Sequence, residues 1–231
     1  MKSASRRSKS AITWRNAILP VFIWLLVAVA TWYFMEGARH FLELKPETLG
    51  KYWDYKWIVI AHITAGGVAL VVGILQFWPA LRRQSRALHR IAGYVYLIAV
   101  LVSSVSALWL AFTTAYEVNW ANAFTLQIWA SVWITTTLLA YIAVPRRDYK
   151  LHEEWMVRSY IVTIAFLISG LLYKLPYIQQ LGTYAEVATP LFWMGWSLPL
   201  YLYEVMRFGG RIRKSSRNRP LTKGAADQVN S

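Results

Sequence analysis

The chain has no cysteine, so its four histidines, His40, His62, His89 and His152, are its strongest candidate ligands for a transition metal or haem iron. The missing thiols exclude disulfides, thiolate zinc sites, protein-held iron–sulfur clusters and covalently attached c-type haem. Carboxylate, Met, Tyr and Lys are weaker ligand options.

His89 and His152 share a setting. Each stands just before an apolar run, among basic residues: Arg82, Arg83, Arg86 and Arg90 near one, Arg146, Arg147, Lys150 and Arg158 near the other. At helical spacing His89 lies on one face with Gly93 and Tyr96, and His152 with Met156 and Ser159. Two imidazoles brought together from neighbouring helices form the axial pair of a low-spin b-type haem, with arginines such as Arg90 and Arg158 available to its propionates. That reading needs the two helices to be neighbours. The plainer one is that His and Arg at such a boundary bind lipid phosphate and cap helix ends.

His62 lies about six residues into an apolar run, and an ionisable residue at that depth is a functional candidate. It shares a helical face with Gly66, Ala69, Gly73 and Gln76. A small stripe of this kind permits close helix packing, or leaves room for a flat macrocycle. His62 is thus a candidate second haem ligand or quinone contact, and equally a candidate for an interhelical hydrogen bond. His40, beside Glu36, Arg39 and Glu43, reads as solvated.

The elements that position these groups are membrane helices. The composition is 57% hydrophobic and only 16% charged, against about 25% charged in soluble domains. The apolar residues fall in blocks long enough to cross a bilayer, for which roughly 17–25 residues suffice. Six spans are expected, at about 17–35, 57–78, 91–113, 121–144, 157–175 and 187–206. Pro176 and Pro190 weaken the last two. The expected architecture is an all-α integral membrane protein in three parts: a basic tail at 1–16, a six-helix domain at 17–206, and a basic, disordered tail at 207–231. The first span ends in Trp32-Tyr33-Phe34 instead of a small-residue cleavage site, so it reads as a retained helix and not a signal peptide.

The formal charge of +14 follows topology. Lys and Arg number five, four, four and seven in the N-terminal tail, the 79–90 and 145–159 loops and the C-terminal tail. The intervening segments hold four, none and one. By the positive-inside rule both termini are cytoplasmic, in a multi-pass protein of the cell (inner) membrane. The charge therefore calls for anionic lipid at the cytoplasmic face and not for nucleic acid. No phosphate loop, dinucleotide fingerprint or nucleophile elbow occurs, so no stand-alone catalytic activity is expected.

The stretches AHITAGGVALVVGILQF (61–77), LRRQSRALHRIAGYVYLIAVL (81–101), IWASVWITTTLLAY in the fourth span, HEEWMVRSYIVT (152–163) and FWMGWSLPLYLYE (192–204) together resemble the bacterial multi-pass membrane proteins grouped as domain of unknown function 2306. The resemblance covers about residues 57–206. It implies that the family's histidine positions fall on His62, His89 and His152, and their basic or polar companions on Gln76, Arg82, Arg90, Arg158 and Glu204. Where the family has Pro-Asn-Leu, this chain has Leu-Pro-Leu at 198–200. A weaker analogy links the histidine arrangement to di-haem transmembrane cytochromes b, through the inner site alone.

Three functions fit these residues. The first is a b-type haem electron-transfer component held by His89 and His152, working with quinone or other membrane redox subunits. The second is a non-catalytic accessory subunit contacting lipid. The third, a small-solute carrier, is disfavoured by the scarcity of buried carboxylates.

Overall fold

The computed structural model describes the backbone of residues 14–217 and the side chains of 21–78 and 82–212. The expected tails at 1–13 and 218–231 lie outside the described residues. Six long helices account for most of the rest: α1 (Trp14–Ala38), α2 (Lys56–Gln76), α3 (Arg86–Phe112), α4 (Trp120–Ala143), α5 (Tyr149–Tyr173) and α6 (Tyr184–Arg217). No strand occurs among the described residues. Short helical turns, including Pro79–Gln84 and Pro176–Gln179, connect them.

Local chemistry sets where these helices begin. The Ser85 hydroxyl accepts from the Leu88 N–H at the start of α3, and Asn119 Oδ1 accepts from Asn122 at 2.7 Å before α4. Asp148 Oδ1 accepts from Leu151 at 3.0 Å before α5. Ahead of α6, the Glu186 carboxylate reaches back to the Thr183 N–H at 2.7 Å, one half of a capping box. Each cap satisfies an N–H that the first turn would otherwise strand.

These caps move two boundaries. α3 starts at Arg86 and α5 at Tyr149, so Arg86, Arg90 and Lys150, expected in loops, are helical, while Arg146 and Arg147 stay in the turn before α5. His89 and His152 consequently sit inside their helices. α6 likewise runs on to Arg217, past the expected end at 206, so residues 207–217 are helix and not a disordered tail. Arg207 explains this extension, because it pairs with Glu154 on α5 and ties the added turns down.

Among the described residues five helices are long and apolar enough to cross a membrane, the first four of these spans being Val21–Glu43, Pro46–Gln76, Arg86–Phe112 and Trp120–Ala143, and the fifth α5 itself. α6 falls short on apolarity, since its membrane-length portion carries Pro190, Pro199 and many Trp and Tyr residues. It is nevertheless built into the bundle, packed against α5 and α4.

The core lies between α2, α3, α4, α5 and α6, where Tyr96, Trp129, Trp133, Tyr160, Val162 and Trp196 are buried. α2 packs along α3 and closes on α5 at Gly73, where an added Cβ would overlap the Tyr160 ring. α1 leans on α2 and α5 from one side. Its outer face is bare, with Val21, Phe22, Leu25, Leu26, Val29 and Trp32 all more than half exposed. A bilayer solvates such a face.

Candidate functional site

α3 and α5 meet through side chains more than through backbone. Tyr96 on α3 reaches across to the Ser159 and Thr163 hydroxyls of α5, each at 2.8 Å. Thr137 and Trp133 of α4 complete the cluster, with Thr137 Oγ1 2.7 Å from Ser159 and the Trp133 indole N–H donating to Thr163 at 2.8 Å. Tyr96 shares its face with His89, and Ser159 shares its face with His152. The two histidine-bearing faces therefore lie on the facing sides of α3 and α5, two turns from this hydroxyl layer, across the gap between the helices that Tyr96 bridges.

His152 is held in place at the rim of that gap. Its Nδ1 lies 2.8 Å from the Ala140 carbonyl at the end of α4. A carbonyl only accepts, so Nδ1 carries the proton, and in the neutral ring Nε2 is left with a free lone pair. This carbonyl-anchored tautomer is the usual state of a metal-ligating histidine. His89 lies close enough for His152 to act on it electrostatically. The His89 Nδ1 is buried with no hydrogen-bond partner, and so is Gln76 Nε2. Gln76 Oε1 approaches the position a Cβ on Gly93 would take, at 3.6 Å, so Gln76, Gly93 and His89 form one corner of the gap. Buried polar atoms left unpaired call for an explanation, of which a further bound group is one.

The arginines separate into two kinds. Arg90 and Arg82 are exposed at this basic end. Arg158, expected beside a propionate, is committed elsewhere. Its Nε donates to Glu204 at 2.6 Å, its Nη1 to the Glu154 carbonyl at 3.0 Å, and its guanidinium stacks over Trp155 and Tyr203. The reason is angular, since six residues past His152 the helix has turned this side chain towards α6. Arg158 is a structural tie and not a cofactor contact.

His62 occupies the other end of the bundle. Ser103, its partner, is fourteen residues beyond His89, roughly 21 Å along α3. His62 cannot join His89 and His152 on one iron. Its Nδ1 lies 3.0 Å from the Ser103 carbonyl and 3.1 Å from the Ser103 hydroxyl, which itself donates to the His62 carbonyl. This is the interhelical bond weighed above. The Nε2 makes no hydrogen bond among the described residues. The ring lines a cavity of about 830 Å³ walled by all six long helices. Gly66 belongs to this cavity, with an added Cβ 3.2 Å from Ser103 Oγ. The small stripe on α2 thus divides: Gly66 opens space, while Ala69 and Gly73 pack.

The sequence alone did not place Ser103, Asn122, Lys51 and Lys174 together, yet all line this cavity. Asn122 is 3% exposed and its Oδ1 has no partner. The one signal available was an amide inside an apolar run. Gln127, the other amide there, is structural and donates to the Ala111 carbonyl at 3.3 Å. His40 is exposed, 3.6 Å from Glu43, as its loop position implied.

Among the described residues no group of three or more metal-binding side chains converges. A site for a bare metal ion held by three protein ligands is thereby unsupported, whereas haem asks for two axial ligands. The family described as "Predicted membrane protein (DUF2306)" matches residues 59–206. No curated protein and no solved structure matches the chain.

Proposed function

The chain belongs to the DUF2306 family of predicted membrane proteins, and on that premise we propose that it is a membrane electron-transfer component carrying one b-type haem between α3 and α5. The observation that carries this reading is the confrontation of the two histidine faces across the Tyr96–Ser159 contact. His89 and His152 would hold the haem, which when bound would supply one-electron chemistry. His152 is pre-oriented by the Ala140 carbonyl, which fixes its tautomer. The unpaired Nδ1 of His89 and Nε2 of Gln76 lie at the corner where Gly93 leaves room. Arg90 and Arg82, exposed at the same end, are the cations open to propionates. The hydroxyl layer of Tyr96, Ser159, Thr137 and Thr163 floors the site and shuts water off from the core beyond it. In this reading the basic end faces the cytoplasm of a bacterial cell membrane, as the positive-inside rule dictates.

A reduced-minus-oxidised absorption spectrum of protein expressed with ample haem tests the reading. Soret and alpha bands of the b type are expected, lost in His89→Ala and His152→Ala and kept in His62→Ala. A colourless wild-type protein sinks it. That outcome favours the alternative of a non-catalytic accessory subunit.

A further inference from the structure

The cavity at the opposite end is a separate site with its own chemistry. Its volume, about 830 Å³, is that of a pocket for a sizeable organic ligand. The walls are aromatic and aliphatic, with Phe34, Leu70, Trp129, Trp133, Phe166 and Phe192 around the interior. No aspartate or glutamate lines it among the described residues. A cationic solute would find no counter-charge at this depth.

Among the polar groups of the lining, Ser103, Thr163 and Ser169 are bonded within the bundle, while His62 and Asn122 each keep an acceptor that no neighbour engages. The His62 ring is fixed by the Ser103 carbonyl so that, when neutral, its free Nε2 accepts. Asn122 presents an unpaired, buried Oδ1, also an acceptor. The complementary ligand is flat and apolar and donates hydrogen bonds.

We propose that this cavity binds a lipid-soluble quinol, its ring among the aromatic walls and its two hydroxyls donating to His62 Nε2 and Asn122 Oδ1. The oxidised quinone has two carbonyl acceptors and sets acceptor against acceptor at His62. Asn122 can turn its amide to offer either end, whereas the His62 ring is held. Discrimination between the two redox forms therefore rests on His62. A long-chain carboxylate fits the walls but not the polar points. The cations at the mouth are already engaged, Lys51 with the Thr114 carbonyl and Glu117, and Lys174 over the Tyr33 ring.

Calorimetric titration of the full chain in quinone-free nanodiscs, under argon, tests the assignment. The probes are decylubiquinol, decylubiquinone and oleate. Saturable quinol binding is expected, about tenfold or more tighter than the quinone, as one misplaced hydrogen bond costs. Asn122→Leu weakens quinol binding about tenfold, and His62→Phe brings the quinol-to-quinone ratio close to one. Ala107→Phe, a ring placed in the cavity at neither polar point, abolishes binding. Melting temperatures certify that each variant is folded. Equal affinity for quinol and quinone overturns the proposal, as does tighter binding of oleate or unchanged quinol affinity in Asn122→Leu and Ala107→Phe. The readout is heat of binding and not a haem spectrum, so this proposal and the haem reading fail separately.

Discussion

The two ends of the bundle solve the same problem in opposite ways. At each, a histidine donates Nδ1–H to a backbone carbonyl of a neighbouring helix, His152 to Ala140 and His62 to Ser103. At the end that carries His152 the helices are bonded to one another. Hydroxyls bridge α3, α4 and α5, and Arg158 and Arg207 tie α5 to α6 through Glu204 and Glu154. Around His62 the interior is hollow, although all six helices wall it. The difference teaches that stability and vacancy are separated along the membrane normal. The basic end holds the helices together, and this lets the other end keep a space that packing alone would close.

If that division is right, substitutions at the basic end cost more than equivalent ones around the cavity. The largest effect is expected for Arg158→Met. Breaking a buried ion pair typically costs about 3–5 kcal/mol. Glu204 is about half exposed and can rehydrate, so about 2–3 kcal/mol is expected here. Thermal unfolding in detergent, with Arg82→Met as an exposed control, measures it. A loss no greater than the control's would show that α6 is held by packing alone.

Gly73→Ala comes next. The added methyl meets the Tyr160 ring, itself packed against Trp24 and Phe77 and bonded to the Leu70 carbonyl, so nothing flexible gives way. Overpacking of this kind costs about 1–3 kcal/mol. Tyr96→Phe removes the hydroxyl shared by Ser159 and Thr163 at a cost of about 1–2 kcal/mol, since both partners are buried. It should also perturb the haem bands in the proposed site, because the hydroxyl layer is its floor.

How much of this was readable in the residues follows from what each feature depends on. Five of the six expected spans were, because a bilayer demands contiguous apolar length whatever the fold. The confrontation of α3 and α5 was readable in part. The i, i+4, i+7 spacing of His89, Gly93 and Tyr96 and of His152, Met156 and Ser159 fixes two faces, and only a fold can say that they meet. Helix starts were misjudged because basic residues were counted as loop, whereas the caps at Ser85 and Asp148 carry Arg86 and Lys150 into the first turn. Arg158 looked like a cofactor cation because sequence proximity to His152 hides a turn of direction. The cavity was not readable at all, since it belongs jointly to side chains from all six helices and to no local pattern.

The smallest effect expected is the sharpest for the comparison. Gly66→Ala lies on the same helix and the same stripe as Gly73→Ala, two turns away, and adds the same methyl group. Its new Cβ would stand 3.2 Å from Ser103 Oγ, a single atom at the edge of a space, in contrast to the aromatic ring that blocks position 73. A shift of a few tenths of an ångström relieves it, and alanine is the better helix former by about 1 kcal/mol. The two contributions nearly cancel, so the melting temperature should stay within about 2 °C of wild type, while Gly73→Ala falls clearly below. Equal losses at both positions would mean that the hollow end is as tightly packed as the basic end, and the division drawn between them would collapse. The Ser103–His62 bond gives the same variant a second reading. If the hydroxyl moves to make room, the imidazole loses one of its two anchors at Ser103, and quinol affinity should drop slightly without any loss of fold.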